Sequence, residues 1–566
     1  MLSTSIRPLG RVSAVSALVL LLSFTFSAAA QDKNPGHAKL DGPLNSVSEA
    51  FGQRGATGAQ SAARSHGLAS RSGGRLAVIL EANDSLGALS IDVGEVLLRG
   101  GQVDAVSRSF MRVLVPYGSL RTLAGHPDIR IARVPTPAVE SSMGPNVSES
   151  PALTDAANVQ LSGITGAGVK VAVIDLGFIG MTSAIGLGEL PAGTTGVDFS
   201  GSGLETGTAH GVGVAEHVMD MAPGASLYCL KVSDEVDLQN AADYCRNNGI
   251  SIANHSVGWV IASYYDGTGP INSIIDESRF TDGVFWAVAA GNNAQRHWRG
   301  SWIDLDGDNF LEFGGADEQL SLTTTSSVTY IFLNWNQYGN SVTDLDLRIV
   351  DRRGRTIASS TASQTGTQEP SEVVAFNYNT RFDPYSIVID AYSGPTAGLD
   401  LTIFSFYNNL EHAVVENSMM DPANADGAFS VAAIDQANWD GSDAPESFSS
   451  QGPTNDGRQK PEIIAPDGTT SWTYGSQASY GTSLSSPTTA GAAALLMSED
   501  LSRTAGDIET LLRAMSEDAG AVGWDPIYGH GKLHLTSSFS DTDPVATDDG
   551  PFGITEDSAA AKQHDR

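Results

Sequence analysis

Cysteine is nearly absent: two in 566 residues, Cys229 and Cys245. They allow at most one disulfide. Cys229 follows the apolar run Ala225-Ser226-Leu227-Tyr228, and Cys245 lies in the helical-looking stretch Asp237 to Arg246. A strand-to-helix bridge and a pair of buried thiols both fit that placing. Basic residues are also scarce, 32 against 65 acidic ones, for a formal charge of −33. A polyanion of this kind repels nucleic acid phosphates and anionic lipid heads, so neither is expected as a partner. The charge reads as solubility, in keeping with a salty medium. After Phe26 no apolar run is long and charge-free enough for a membrane span, so no transmembrane helix is expected in the mature chain. The length itself excludes a single core and suggests three or four folding units.

The first 30 residues form a secretory signal in three parts. Arg7 and Arg11 supply the positive start, Val12 to Phe26 the apolar stretch, and Ser27-Ala28-Ala29-Ala30 the small residues for cleavage before Gln31. The protein is therefore expected outside the cytoplasm, extracellular or periplasmic. Residues 31–74 are rich in Gly, Ser and Ala without sustained period and read as a flexible linker. From Arg75 to about Val134, Leu76 to Leu80, Val96-Leu97-Leu98, Met111 to Val115 and Ile129 to Val134 suggest strands, and Leu120 to Leu123 a helix. The whole suggests a small α+β unit over 75–145. From 146 to 295, short buried runs (Val169 to Ile174, Leu227 to Val232, Ile250 to Asn254, Val284 to Ala290) alternate with helical segments such as Val212 to Met219. That texture predicts an α/β unit with a mostly parallel central sheet. It is interrupted at 296–412 by close-spaced β-branched and aromatic runs, among them Val328 to Trp335, Leu345 to Val350 and Leu399 to Phe406, which read as an all-β sandwich insertion. It returns over 413–535. The tail from 536 is acidic and is expected to be disordered, or to begin a further repeat.

Three segments place a reactive side chain at the end of a rigid element. In Val171-Ala172-Val173-Ile174-Asp175-Leu176-Gly177 a carboxylate ends a buried strand and a glycine lets the chain turn; an ordinary helix cap would look the same. In Thr208-Ala209-His210-Gly211-Val212-Gly213 a histidine opens a helix. His217, seven residues on, competes for the role but lies about 10 Å further along. In Tyr480-Gly481-Thr482-Ser483-Leu484-Ser485-Ser486-Pro487 a serine begins a small-residue helix, within the positive end of its dipole. Pro487 lacks an N–H, so the Ser483 carbonyl loses its usual helical donor.

Together these segments resemble the subtilisin family of serine peptidases (peptidase S8), with Asp, His and Ser in that chain order. The run Met221 to Tyr228 is also similar to the family's sequence after its histidine helix. The resemblance covers about 150–295 and 413–535. It implies a three-layer α/β fold and a secreted serine endopeptidase with Asp175, His210 and Ser483 as the catalytic triad. It further implies that Asn292, in Ala289-Ala290-Gly291-Asn292, is the oxyanion donor. Ser256, Val257 and Gly258, in Asn254-His255-Ser256-Val257-Gly258, would form the strand that pairs with the substrate backbone. Residues 75–145 would then be a propeptide that assists folding and blocks the cleft, making the chain a zymogen cut near 135–150. Partners would be protein or peptide substrates and the chain's own propeptide. The sequence departs from the family at Gly213, where a second histidine is usual, at Leu176, where Ser or Thr is common, and at Trp259, where glycine is frequent. Other readings are a peptide-ligating or acyl-transfer enzyme on the same fold, and a surface-binding protein with an idle catalytic domain.

No cofactor is required by this reading and no metal ligand is assigned to the site. In the insertion, Asp304-Leu305-Asp306-Gly307-Asp308-Asn309 has a spacing that suits calcium or an acidic surface turn, but the distal glutamate of a full EF-hand is missing. Asp344 and Asp346 read as outward-facing strand residues.

Overall fold

The computed structural model describes residues 36–536, apart from 67, 69–73, 84–86, 136–137, 141–147, 325–327, 442 and 476–477. The signal-like segment and the acidic tail beyond 536 lie outside the described residues.

The N-terminal part begins with helix α1 (Gly42–Ser65), where a linker was expected. Asp41 caps it by accepting from the Leu44 N–H at 2.9 Å, and the helix kinks at Gly55. The face it buries carries Leu44, Val47 and Ala50, then Gly58, Ala59 and Ala63. Such small residues give little hydrophobic period, yet they let a helix lie close to its neighbours. Next come β1 (Arg75–Ala82), α2 (Val93–Leu98), β2 (Gln102–Val106), β3 (Met111–Pro116), α3 (Leu120–Ala124), β4 (Ile129–Arg133) and β5 (Ala138–Glu140). Strands β2-β3-β1-β4 form an antiparallel sheet around Val78, Leu80, Val113 and Leu123. The run Val96-Leu97-Leu98 is helical rather than extended. Asp92 caps it, and only Val96 faces the core; Leu98 is 82% exposed.

After α4 (Ser150–Leu153) and α5 (Ala156–Leu161) come β6 (Lys170–Asp175), α6 (Met181–Leu187), β7 (Thr195–Asp198), α7 (His210–Met221), β8 (Ser226–Lys231) and α8 (Glu235–Asn248). These lead into β9 (Ile252–His255), β10 (Val257–Trp259), α9 (Pro270–Phe280) and β11 (Phe285–Ala289). Then follow eight strands: β12 (His297–Ser301), β13 (Leu320–Ser321), β14 (Val328–Trp335), β15 (Asp344–Asp351), β16 (Thr356–Ser360), β17 (Ser371–Asn377), β18 (Tyr385–Ser393) and β19 (Asp400–Phe406). They make two antiparallel sheets, β12-β19-β14-β17 and β13-β18-β15-β16, over a shared core that includes Trp335, Leu347, Ile387 and Leu401. Asp344 and Asp346 are buried, contrary to expectation. Arg348 reaches Asp346 at 3.2 Å and Asp390 on the neighbouring strand at 2.7 Å, so the second face of β15 carries a covered ionic group.

The chain then completes a seven-stranded parallel sheet with β20 (Ala428–Asp435) and β21 (Ile463–Asp467), followed by α10 (Thr482–Glu499) and α11 (Ala505–Met515). The sheet order is β21-β20-β11-β9-β6-β8-β7, every pair parallel. Both faces are covered, as such strands require. Val171 and Val173 pack with Val214 and Val218 of α7, Leu495 of α10 and Ile508 of α11; Ala172 and Ile174 pack with Val236 of α8 and Ile274 of α9. This alternation decides the cysteines. Cys229 belongs to the α7/α10 side and Cys245 to the α8/α9 side, so the sheet stands between them and both are buried free thiols. Among the described residues no helix is long and apolar enough to cross a membrane.

The N-terminal sheet docks on the start of α8 through buried ion pairs. Arg112, 2% exposed, pairs with Asp234 and lies 3.1 Å from Asp237 and 2.8 Å from Asp104. Arg133 pairs with Glu235 and with Glu81 at 2.7 Å. Burial works against the Arg112 charge, but Asp234 and Asp237 more than offset it and hold its pKa above the ordinary value.

Candidate active site

Asp175 ends β6, which lies between β9 and β8. The chain leaves β6 for β7 and β8 on one side and later reaches β9 on the other. That is the switch point where parallel sheets open a crevice at their carboxyl ends. Asp175 is fully buried. Its Oδ1 accepts from the Leu176 N–H at 2.7 Å, and its Oδ2 lies 2.7 Å from His210 Nδ1.

His210 is the first residue of α7, and Gly211 allows it to meet the aspartate. The Gly211 N–H donates to the Gly177 carbonyl at 3.1 Å, and a Cβ on Gly211 would stand 2.6 Å from the Phe178 ring and 2.9 Å from Asp175 Cβ. Any side chain there would push the helix start away from β6. The competitor His217 is occupied elsewhere. Its Nδ1–H donates to the Gly213 carbonyl at 2.8 Å and its Nε2 accepts from Thr469 Oγ1 at 2.9 Å; burial lowers its pKa to about 4. The family's second histidine has no room here, because a Cβ on Gly213 would lie 2.6 Å from the Tyr474 ring.

Ser483 is the second residue of α10 and is fully buried. The helix start is pinned on several sides. Gly481 N–H donates to Asp467 Oδ2 at 2.7 Å, and Ser485 Oγ donates to the Ala465 carbonyl at 2.9 Å. Ser486 Oγ donates to Asn254 Oδ1 at 2.7 Å, Asn254 Nδ2 donates to Ser256 Oγ at 3.0 Å, and Ser256 Oγ donates to the Ser483 carbonyl at 3.1 Å. The carbonyl orphaned by Pro487 thus finds its donor in Ser256, whose side chain serves the nucleophile's backbone.

Asn292 sits at the other side of this turn. Its Oδ1 accepts both the N–H and the hydroxyl of Thr482 at 3.0 Å, and Thr482 Oγ1 in turn accepts the Gly291 N–H at 3.1 Å. These bonds fix the amide with its oxygen toward Thr482. Thr482 is thus a positioning residue that the sequence displayed, in Gly-Thr-Ser, without disclosing its task.

Val257 and Gly258 lie on β10, which pairs antiparallel with β5: Val257 opposite Glu140, Gly258 opposite Val139, Trp259 opposite Ala138. Trp259 is fully buried; its indole N–H donates to His255 Nε2 at 2.9 Å and its backbone N–H to the Asp421 carbonyl at 2.7 Å. The tryptophan is therefore a packing residue at the end of β10.

The structure brings Asp175 to His210, and links Asn292 through Thr482, and Ser256, to the Ser483 turn. Asp304, Asp306 and Asp308 belong to the β-rich part. Residues 338–531 match the family model of the Subtilase family, peptidase S8; this span contains Ser483 but neither Asp175 nor His210. The fold is similar to that of the CspB protease of Clostridium perfringens, at 15% identity over 69% of this chain and 98% of that one, with a TM-score of 0.50. A lanthipeptide protease structure matches at 16% identity over 67% of this chain and 91% of that one, with a TM-score of 0.36. The stretch 338–531 is thus similar to the Subtilase family, and the segments around Asp175, His210 and Ser483 are of the kind that family carries.

Proposed function

We propose that the protein is a secreted serine endopeptidase made as an inactive precursor. The observation that carries this is the 2.7 Å hydrogen bond between Asp175 and His210 at the carboxyl edge of the parallel sheet, on the fold that presents Ser483 at a helix start. The Nδ1–H of His210 donates to Asp175, which leaves Nε2 as the basic nitrogen. His210 takes the Ser483 proton as Oγ attacks the peptide carbonyl, then returns it to the leaving amine. Asp175 holds the ring and stabilises its charged form. The Asn292 NH₂ and the Ser483 N–H stabilise the oxyanion, and water releases the acyl group.

Substrate is bound by strand addition on Val257 and Gly258, with Ser256 holding the Ser483 backbone from behind. In the precursor β5 occupies that edge. Glu140 stands opposite Val257, and the next cleft residue, Ser256, touches Ser483. The bond cut in maturation therefore follows closely after Glu140. The part from 75 to 145 acts as propeptide, the strands from 297 to 406 as an inserted β-sandwich.

The test is labelling with a fluorophosphonate, casein hydrolysis, and sequencing of the mature N-terminus. Wild type should label, digest casein and start shortly after Glu140, whereas Ser483→Ala should do none of these. Labelling without hydrolysis would point to acyl transfer, and equal activity in Ser483→Ala would refute the assignment.

A further inference from the structure

The loop from 302 to 319, between β12 and β13, concentrates negative charge. No lysine or arginine occurs between Arg299 and Arg348, while Asp304, Asp306, Asp308, Glu312, Asp317 and Glu318 fall within the loop. Asp304 shapes it: Oδ1 accepts the N–H groups of Gly307 at 2.8 Å and Asp308 at 3.2 Å, and Oδ2 that of Asn309 at 3.1 Å. The chain then runs beside β18, where the Leu311 N–H donates to the Ile389 carbonyl at 3.0 Å. Leu311 and Phe313 enter the β core. Glu312, between them, is turned the other way.

Glu312 is the telling residue. It is only 5% exposed, and its Oε1 accepts the Leu305 N–H at 2.7 Å. Its Oε2 is buried with no hydrogen-bond donor among the described residues. A buried carboxylate oxygen without a donor is costly, and more so beside other carboxylates. Yet single oxygens of Asp304, Asp306 and Glu312 lie within 4.8 Å of one another, and those of Asp306, Asp308 and Glu318 do likewise. An acidic surface turn leaves its charges in water. This arrangement carries one inward, and the distal carboxylate that an EF-hand-like spacing lacks is supplied by the fold.

We propose that Asp304, Asp306 and Glu312 hold a calcium ion, with Asp308 and Glu318 closing its outer side. The donors are all hard oxygens on a pliant loop, which suits the six to eight ligands of calcium better than the compact octahedron of magnesium or the nitrogen and sulfur preferred by zinc. The ion fixes the loop and neutralises the buried Glu312. This role does not depend on the peptidase reading.

The experiment uses the full chain carrying Ser483→Ala, so that self-cutting cannot obscure it. Calcium is titrated calorimetrically, terbium is followed by luminescence excited through tryptophan, and thermal unfolding is compared in EDTA and in millimolar calcium. A single equivalent of calcium should bind and raise Tm by several degrees. Asp306→Asn, at an exposed position, and Glu312→Gln should each weaken binding by at least about tenfold. In EDTA, Glu312→Gln should be at least as stable as its parent, because it removes a buried uncompensated charge. Absence of calcium binding in the parent, unchanged affinity in both variants, or an equal response to magnesium would overturn the proposal.

Discussion

The hydroxyl of Ser256 donates to the carbonyl of Ser483 at 3.1 Å, where a helix would ordinarily use the N–H of residue 487. Pro487 has none, so the backbone of the proposed nucleophile is anchored by Ser256, between β9 and β10. Ser256→Ala should cost about 1–3 kcal/mol, since it leaves that carbonyl and the Asn254 amide without their partner. It should also lower kcat more than it raises KM. Adding Pro487→Ala restores a helical donor and should recover part of the loss, which a double-mutant cycle in urea unfolding would read.

On the proposed reading, Asn292→Ala should reduce kcat by about 10²–10³, with KM little changed, the magnitude known for an oxyanion-hole donor in subtilisin. Thr482→Val should give a smaller loss of the same kind, because it frees the Asn292 amide to rotate. Steady-state kinetics on a peptide anilide would distinguish this from a fall in both variants through KM alone.

Gly213→His, which rebuilds the family's usual motif, should destabilise by about 1–3 kcal/mol, because its Cβ meets the Tyr474 ring. The added substitution Tyr474→Ala should relieve the strain. Thermal unfolding of the single and double variants checks this.

The strands were legible where the apolar runs are continuous, as in Val171 to Ile174, because a strand covered on both faces needs no alternation. Helix α1 was not, since Gly58, Ala59 and Ala63 bury well but hardly register as hydrophobic. Val96-Leu97-Leu98 looked like a strand because three apolar side chains stand together, although Asp92 already offered a cap. At the site, Asp175, His210 and Ser483 stood out by their lead-in residues. The work of Thr482, Asn254 and Tyr474 depends on partners far away in the chain and had no local signature.

His217 supplies a pH-dependence. Burial lowers its folded pKa to about 4, from an ordinary value of 6.5. The unfolded chain therefore binds the proton first, and the stability His217 contributes is present above pH 6.5 and is lost as the pH falls toward 4. Relative to His217→Gln, wild type should lose about 2 kcal/mol more between pH 7 and pH 5. Urea midpoints at the two pH values measure it; an equal loss in both proteins would refute it.

Arg112 joins the N-terminal sheet to Asp234 and Asp237 of α8 in a buried group. Removing it strands those carboxylates, so, if the N-terminal part is the propeptide proposed above, an Arg112→Ala N-terminal fragment should inhibit the mature enzyme about 10²–10³-fold less well. Inhibition constants for the two fragments test this, and a change within twofold would sink it.

Strand β5 is covalently continuous with the part of the chain that holds β10. While that continuity lasts, its local concentration at the cleft edge is set by the tether and is independent of how dilute the protein is. The cut proposed after β5 would turn an intramolecular contact into one between two molecules. On the proposed reading, dilution alone would then loosen the same interface in a large volume, without any change in its contacts.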